Sequence, residues 1–367
     1  MRIVYLINGL NGGGAAFPVP ALVATMQRRG HTVRVLALMA QDGRAGARFT
    51  DAGLDWALLP GGAVNVVRSF TALLHELRRE PTDLIWTSLT RACVFGQIAG
   101  RLLGIPVLSW QHNAFLRPGN RLLLRLTGRW ASRWVADSQT VVDFTERTLG
   151  VDRERIDLWP IFRAVDNSPQ ARPCPPGGRF RIGSLGRLHP NKRYQDLIDA
   201  AAWLRDRHPA AAARMEIVIG GEGPEREALA ARIEALALDN VILAGFIEQP
   251  GVFLAGLHAY VQPSHHEGMC IAAHEAMQAA LPVVATPVGE LARTIINGET
   301  GHLIPVGDPA ALARALLALA DDRGGTARMG QESRTRVLAL YGNAAFERNG
   351  FAVLAKIEAV VAARARR

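Results

Sequence analysis

Lysine is nearly missing from this chain. Of 42 basic side chains in 367 residues, only Lys192 and Lys356 are lysines, the rest being arginines. A bias of that kind follows overall composition and does not by itself indicate a nucleic-acid surface, but it makes position 192 conspicuous. Cysteine is also scarce. Cys93, Cys174 and Cys270 share no C-x-x-C or other ligand spacing, which excludes a disulfide framework or a structural zinc and fits a reduced, intracellular setting. No stretch reaches the roughly 20 apolar residues that span a bilayer. The opening M-R-I-V-Y-L-I-N-G-L-N-G-G-G is too short an apolar run for a signal peptide and lacks a small-residue cleavage site. The expectation is a cytoplasmic protein, or one peripheral on the inner face of the membrane. Gly9, Gly12, Gly13 and Gly14 do not follow G-x-G-x-x-G, so dinucleotide binding is not indicated.

What is present is a globular composition, 49% hydrophobic and 20% charged, long enough for about two domains with separate cores. The charge is uneven. Residues 1–165 hold 20 arginines against 12 acidic residues, so +8 of the net +9 lies in that part. Strand-like runs at 2–7, 31–38, 56–59, 83–86, 106–110 and 134–136 alternate with helical patterns at 15–29, 66–79, 91–103 and 139–149, which predicts a doubly wound parallel sheet. The Pro/Gly-rich stretch 166–178 reads as a linker. Beyond it, a strand followed by a basic loop within 180–193 and strands at 215–219, 241–246, 283–286 and 301–305, with helices between, predict a second unit of the same class over 179–342. A long helix over 343–367 follows.

The most informative stretch runs from Ser264 to Glu290, S-H-H-E-G-M-C-I-A-A-H-E-A-M-Q-A-A-L-P-V-V-A-T-P-V-G-E. It reads as a polar loop, a helix over about 269–280 and a short strand. Glu267 and Glu275 have seven residues between them, roughly 12 Å apart along a helix axis. A glycosidase carboxylate pair needs about 5–10 Å, so this spacing suits two groups gripping different parts of one elongated ligand. The backbone N–H groups of Gly268, Met269 and Cys270 fall at the helix N-terminus, where a phosphate binds favourably.

This stretch resembles the E-x(7)-E signature of retaining GT-B glycosyltransferases of family 4. Gly186-Arg187-Leu188-x-x-x-Lys192 is similar to that family's G-R-L-x-x-x-K motif, and Gly220-Gly221-Glu222-Gly223-Pro224 to its G-x-G-P turn. The resemblance implies two Rossmann-like domains facing across a cleft, the nucleotide-sugar bound mainly by the second, the acceptor by the first, and the last helix packing back on the first. It implies that Glu267 holds the donor sugar and Glu275 the ribose. Arg187 and Lys192 hold the diphosphate, Gly186, Gly221 and Gly223 border the nucleotide, and His112 contacts the transferred sugar. Gly13 and Gly14 approach the donor diphosphate or the acceptor, although Gly14-Ala15-Ala16-Phe17 departs from the family's frequent G-G-A-E. No D-x-D triplet occurs, so no metal or other cofactor is expected. Fixed cations then stabilise the departing diphosphate.

Alternatives stay open at this level. Each glutamate also reads as an ordinary helix-face residue, and His112 as a loop histidine. Arg117, Arg121, Arg125, Arg129 and Arg133 recur every four residues beside leucines. If helical they form a stripe facing an anionic membrane surface, an anionic acceptor or only solvent. The expected reaction is transfer of a sugar from a nucleotide-diphosphate donor, UDP-sugar favoured and GDP-sugar second, to a hydroxyl in cell-envelope glycan, polysaccharide or glycolipid assembly. A sugar-nucleotide epimerase of the same fold, a transferase to a small natural product, and a non-enzymatic basic binding module are the rivals. No nucleic-acid partner is expected.

Overall fold

The computed structural model describes residues 1–366. The chain divides into two compact units, one made of residues 1–163 with the chain from Ala344 onward, the other of Ala164–Asn343.

In the first unit seven strands form one sheet: β1 (Arg2–Ile7), β2 (Thr32–Ala37), β3 (Asp55–Leu58), β4 (Leu84–Ser88), β5 (Val107–Gln111), β6 (Arg133–Ala136) and β7 (Ile156–Leu158). Their order is β3-β2-β1-β4-β5-β6-β7, every pair parallel. The run Ile3–Ile7 is buried throughout, as expected for a strand covered on both faces. The connecting helices are α1 (Val19–Arg28), α2 (Arg44–Asp51), α3 (Val66–Arg79), α4 (Thr90–Leu103), α5 (Pro118–Thr127) and α6 (Gln139–Leu149). Helix α1 starts four residues later than the pattern suggested, because the chain turns tightly from Gly13 to Phe17 before Pro18.

An aromatic wall fills one part of this unit. Trp86, Trp110 and Trp159 are fully buried and lie with ring centroids 5.3–6.0 Å apart. The C-terminal helix, Asn343–Ala365, lays Phe346 5.4 Å from Trp159. It is further held by Lys356 Nζ on Asp157 (2.6 Å) and by Glu358 on Arg29. Gly350 permits that approach, since a Cβ there would sit 2.5 Å from the Trp159 ring.

The second unit holds six parallel strands in the order β10-β9-β8-β11-β12-β13: β8 (Phe180–Leu185), β9 (Met215–Gly220), β10 (Val241–Gly245), β11 (Ala259–Gln262), β12 (Val283–Ala285) and β13 (Gly301–Leu303). The stretch 166–178 is not a free linker. The buried Arg334 guanidinium donates to the carbonyl of Asp166 and to Ser168 Oγ, Ala171 N–H donates to Ala279 O, and Cys174 is buried. Proline removed regular structure from this segment but not its packing. The crossings between units fall instead at 163/164 and 343/344.

Both sheets reverse their strand order once, between β1 and β4 and between β8 and β11. In open parallel sheets ligands gather beyond the carboxyl ends of the strands flanking such a switch point. Among the described residues no helix is long and apolar enough to cross a membrane.

Candidate active site

In the second unit the switch point joins the two stretches singled out in the sequence. The loop after β8 carries Gly186, Arg187 and Lys192, and the loop after β11 carries Ser264–Cys270. Lys192 Nζ lies 2.7 Å from Glu267 Oε1, with side chains 20% and 10% exposed. Burial works against the ammonium, but the adjacent Glu267 carboxylate outweighs it and holds Lys192 above its ordinary pKa.

Glu267 is aimed by its neighbours. Ser264 Oγ donates to Oε1 at 2.6 Å, Gln262 Nε2 donates to Ser264 Oγ at 2.8 Å, and Tyr260 OH donates to Gln262 Oε1 at 2.9 Å. The two loops are also tied through backbone, because Asn191 Nδ2 donates to His266 O and His265 N–H to Asn191 O. Ser264, Gln262 and Asn191 are site residues that the sequence reading missed. Their signal was position, at or just beyond the end of a strand beside the switch point.

Arg187 is exposed and forms no ion pair among the described residues. Its cation is therefore available to an anionic ligand. The loop carrying it runs against the turn 220–223 with Gly186 N–H on Gly220 O and Leu188 N–H on Glu222 O. A Cβ on Gly221 would lie 1.9 Å from Gly186 O, and one on Gly223 2.2 Å from Leu188 O. These glycines allow two backbones to touch, whatever else borders them.

The helix expected over 269–280 is shorter, Ile271–Gln278, because Cys270 adopts a left-handed conformation (φ 58°) at its N-cap. Glu267 to Cys270 is therefore loop, and the helical rise does not measure the separation of the two glutamates. The amides of Gly268, Met269 and Cys270 donate to no protein acceptor among the described residues. They belong to the same loop as Glu267, whose carboxylate meets Lys192. Glu275 is half-buried on the helix that follows. Gly289 (φ 58°) packs under this loop, where a Cβ would meet Gly268 O at 2.4 Å. Burial, its largest cause, and neighbouring His265 lower the pKa of His266.

In the first unit His112 follows β5 directly. Its Nδ1 lies 2.8 Å from Asp137 Oδ2 and its Nε2 2.7 Å from Ser88 Oγ. The ring stacks on Trp110 (5.5 Å, 17°). Gly13 and Gly14 lie in the turn after β1, where Gly12 N–H donates to the Asp42 carboxylate at 2.9 Å. The arginine stripe is interrupted. Arg117 caps α5, Arg121 and Arg125 lie on it, Arg129 stacks over Trp130 in a following 3₁₀ turn, and all four are exposed. Arg133 is not part of the stripe. It belongs to β6 and chelates Asp157 at 2.6 and 3.0 Å.

The comparisons with known proteins agree with this arrangement. A family model described as glycosyl transferases group 1 matches residues 179–322, and one described as glycosyltransferase family 4 matches residues 12–163. A 2-deoxystreptamine glucosyltransferase from Streptomyces kanamyceticus is 32% identical over 289 residues, covering 69% of this chain and 72% of that protein. A D-inositol 3-phosphate glycosyltransferase from Arthrobacter sp. (strain FB24) is 27% identical over 365 residues, covering 88% and 85%. The crystal structure of Anabaena HepE in complex with UDP-glucose aligns with a TM-score of 0.84 at 19% identity, over 97% of this chain and all of that one. Two parallel α/β units of this kind define a glycosyltransferase of the GT-B class. The chain belongs to the group 1, family 4 glycosyltransferases.

Proposed function

We propose that this glycosyltransferase moves a hexosyl group from a UDP-sugar, or secondarily a GDP-sugar, to an acceptor hydroxyl with retention of configuration and without a metal. The observation that carries this reading is the Lys192–Glu267 pair at the second unit's switch point, with Arg187 exposed on the Lys192 loop and in no ion pair among the described residues, and with three amides of the Glu267 loop that meet no described protein acceptor. Fixed positive groups of that kind stabilise charge growing on a departing diphosphate. Lys192 and Arg187 take the diphosphate, Glu267 the sugar and Glu275 the ribose. Retention follows from a front-face displacement in which the leaving phosphate itself helps to deprotonate the acceptor. UDP is favoured because the Anabaena neighbour of the same fold was crystallised with UDP-glucose.

The first acceptor reading is a glycan or glycolipid of the cell envelope met at an anionic surface. Helix α5 supports it. Leu122 and Leu126 are 59% and 57% exposed beside Arg121 and Arg125, and Phe115 just before the helix is 51% exposed. The second reading is a small cyclitol, supported by the two relatives named for 2-deoxystreptamine and D-inositol 3-phosphate.

The test is thermal stability with UDP, GDP and their sugar conjugates in the presence of EDTA. A ligand at 100 times its Kd adds about 2.7 kcal/mol. A shift with one nucleotide family, abolished by Lys192→Ala, is the expected result. No shift with any nucleotide, or one that survives Lys192→Ala, overturns the assignment of this site. A shift that appears only when divalent metal replaces EDTA overturns metal independence alone.

A further inference from the structure

Three adjacent strands of the first unit, β4, β5 and β6, end side by side. Their register pairs Ser88 with Trp110 and Gln111 with Ala136, which sets His112 level with Asp137. The imidazole is then held at both nitrogens and on one face. Asp137 Oδ2 meets Nδ1 at 2.8 Å, Ser88 Oγ meets Nε2 at 2.7 Å, and the Trp110 ring covers one face. Trp110 Nε1–H donates to the other carboxylate oxygen, Oδ1 of Asp137. The aspartate side chain is 3% exposed and the histidine side chain 9%.

A carboxylate only accepts hydrogen bonds, so Nδ1 of His112 must carry the ring proton. In the neutral ring Nε2 is then a lone-pair acceptor, and the Ser88 hydroxyl donates to it. We propose that Asp137 is a positioning residue, fixing His112 as the Nδ1–H tautomer so that Nε2 accepts a hydrogen bond from a substrate hydroxyl. Ser88 Oγ–H fills that place when no substrate is bound. Trp110 completes the device by orienting the carboxylate and the ring together. The ligand class follows from the polarity. A lone pair on Nε2 takes an O–H donor, such as a sugar or polyol hydroxyl, and repels the phosphate or carboxylate oxygens that Arg187 and Lys192 would attract. The identity of that hydroxyl rests on the transferase reading above, while the tautomer does not.

The experiment uses the full chain with ¹⁵N-labelled histidine, the His112 signals being identified by their loss in His112→Gln. The wild type at slightly alkaline pH should show Nδ1 protonated and Nε2 unprotonated. Asp137→Asn keeps the shape, but its amide N–H donates to Nδ1 and should shift the proton to Nε2. Transfer should fall about tenfold or more in kcat/KM, as expected for a wrong tautomer, with nucleotide-induced stabilisation unchanged. The unchanged nucleotide-induced stabilisation of Asp137→Asn guards against a general loss of fold. A wild-type ring protonated on Nε2 overturns the proposal. So does an Asp137→Asn ring that keeps its proton on Nδ1, or one that switches tautomer without loss of transfer. If the wild type transfers no sugar, the transferase reading fails, and the ring-nitrogen signals still decide the role of Asp137.

Discussion

Buried polar side chains do much of the positioning at the scale of single residues, and His274 shows the cost. It is fully buried, its Nδ1 is 3.0 Å from Cys270 O, and its Nε2 is 3.0 Å from Thr294 Oγ1, which in turn meets the Tyr341 hydroxyl. The pattern of one donor and one acceptor fits a neutral ring, and burial lowers its pKa from 6.5 to about 4. The unfolded chain therefore binds a proton that the folded chain refuses between about pH 6.5 and 4. The contribution of a neutral His274 is fully present above that window and is lost as pH falls through it, by up to ~1.4 kcal/mol per pH unit. Urea midpoints at pH 7 and pH 5 check this. The difference between the two should shrink in His274→Leu, and an unchanged difference would show that other groups carry the acid sensitivity.

Among the elements, the C-terminal helix illustrates how close packing constrains composition. Gly350 faces Trp159 where no Cβ fits, and Phe346 lies against the same indole. Gly350→Val should lift this helix from the tryptophan wall, at about 1–3 kcal/mol for overpacking. A lower melting temperature and a changed near-ultraviolet tryptophan signal would report it. Gly119→Ala on α5, where an added Cβ meets nothing within 4 Å, serves as the tolerated comparison. If both variants melt like the wild type, the contact is looser than drawn. Arg334 plays a similar role in the second unit. Among the described residues it has no carboxylate partner and is satisfied instead by Ser168 Oγ and by the carbonyls of Asp166 and Gln278.

For the whole molecule, the relevant quantity is where charge accumulates. No acidic residue occurs between Asn113 and Ala136, and the exposed leucines of α5 share that stretch with Arg117, Arg121, Arg125 and Arg129. Each basic group near an anionic bilayer contributes about 1 kcal/mol, screened beyond a Debye length. Co-sedimentation with phosphatidylglycerol-containing vesicles should therefore exceed that with pure phosphatidylcholine. It should weaken with salt, and further in a Leu122→Ser, Leu126→Ser double variant. Equal sedimentation with both lipids would leave α5 as an acceptor-facing or solvated element and favour the cyclitol reading.

Much of this was legible in one dimension. Alternating strands and helices specify a doubly wound parallel class, because short continuous apolar runs report strands covered on both faces and the 3.6-residue period reports helices with one buried face. The motifs around Lys192 and Glu267 fall where that class gathers ligands. The departures are local and have local causes, such as the late start of α1 at its proline and the left-handed Cys270 that shortens the helix behind Glu267. Two matters were decided only by the folded chain. Asp137 and Ser88 lie 25 and 24 residues from His112, and only strand order brings them to its two nitrogens. Arg133 keeps the four-residue spacing of the stripe but lies in β6, where its guanidinium meets Asp157. Spacing along a chain determines which residues share an element. Contacts between elements depend on sheet order and register, which no single segment contains.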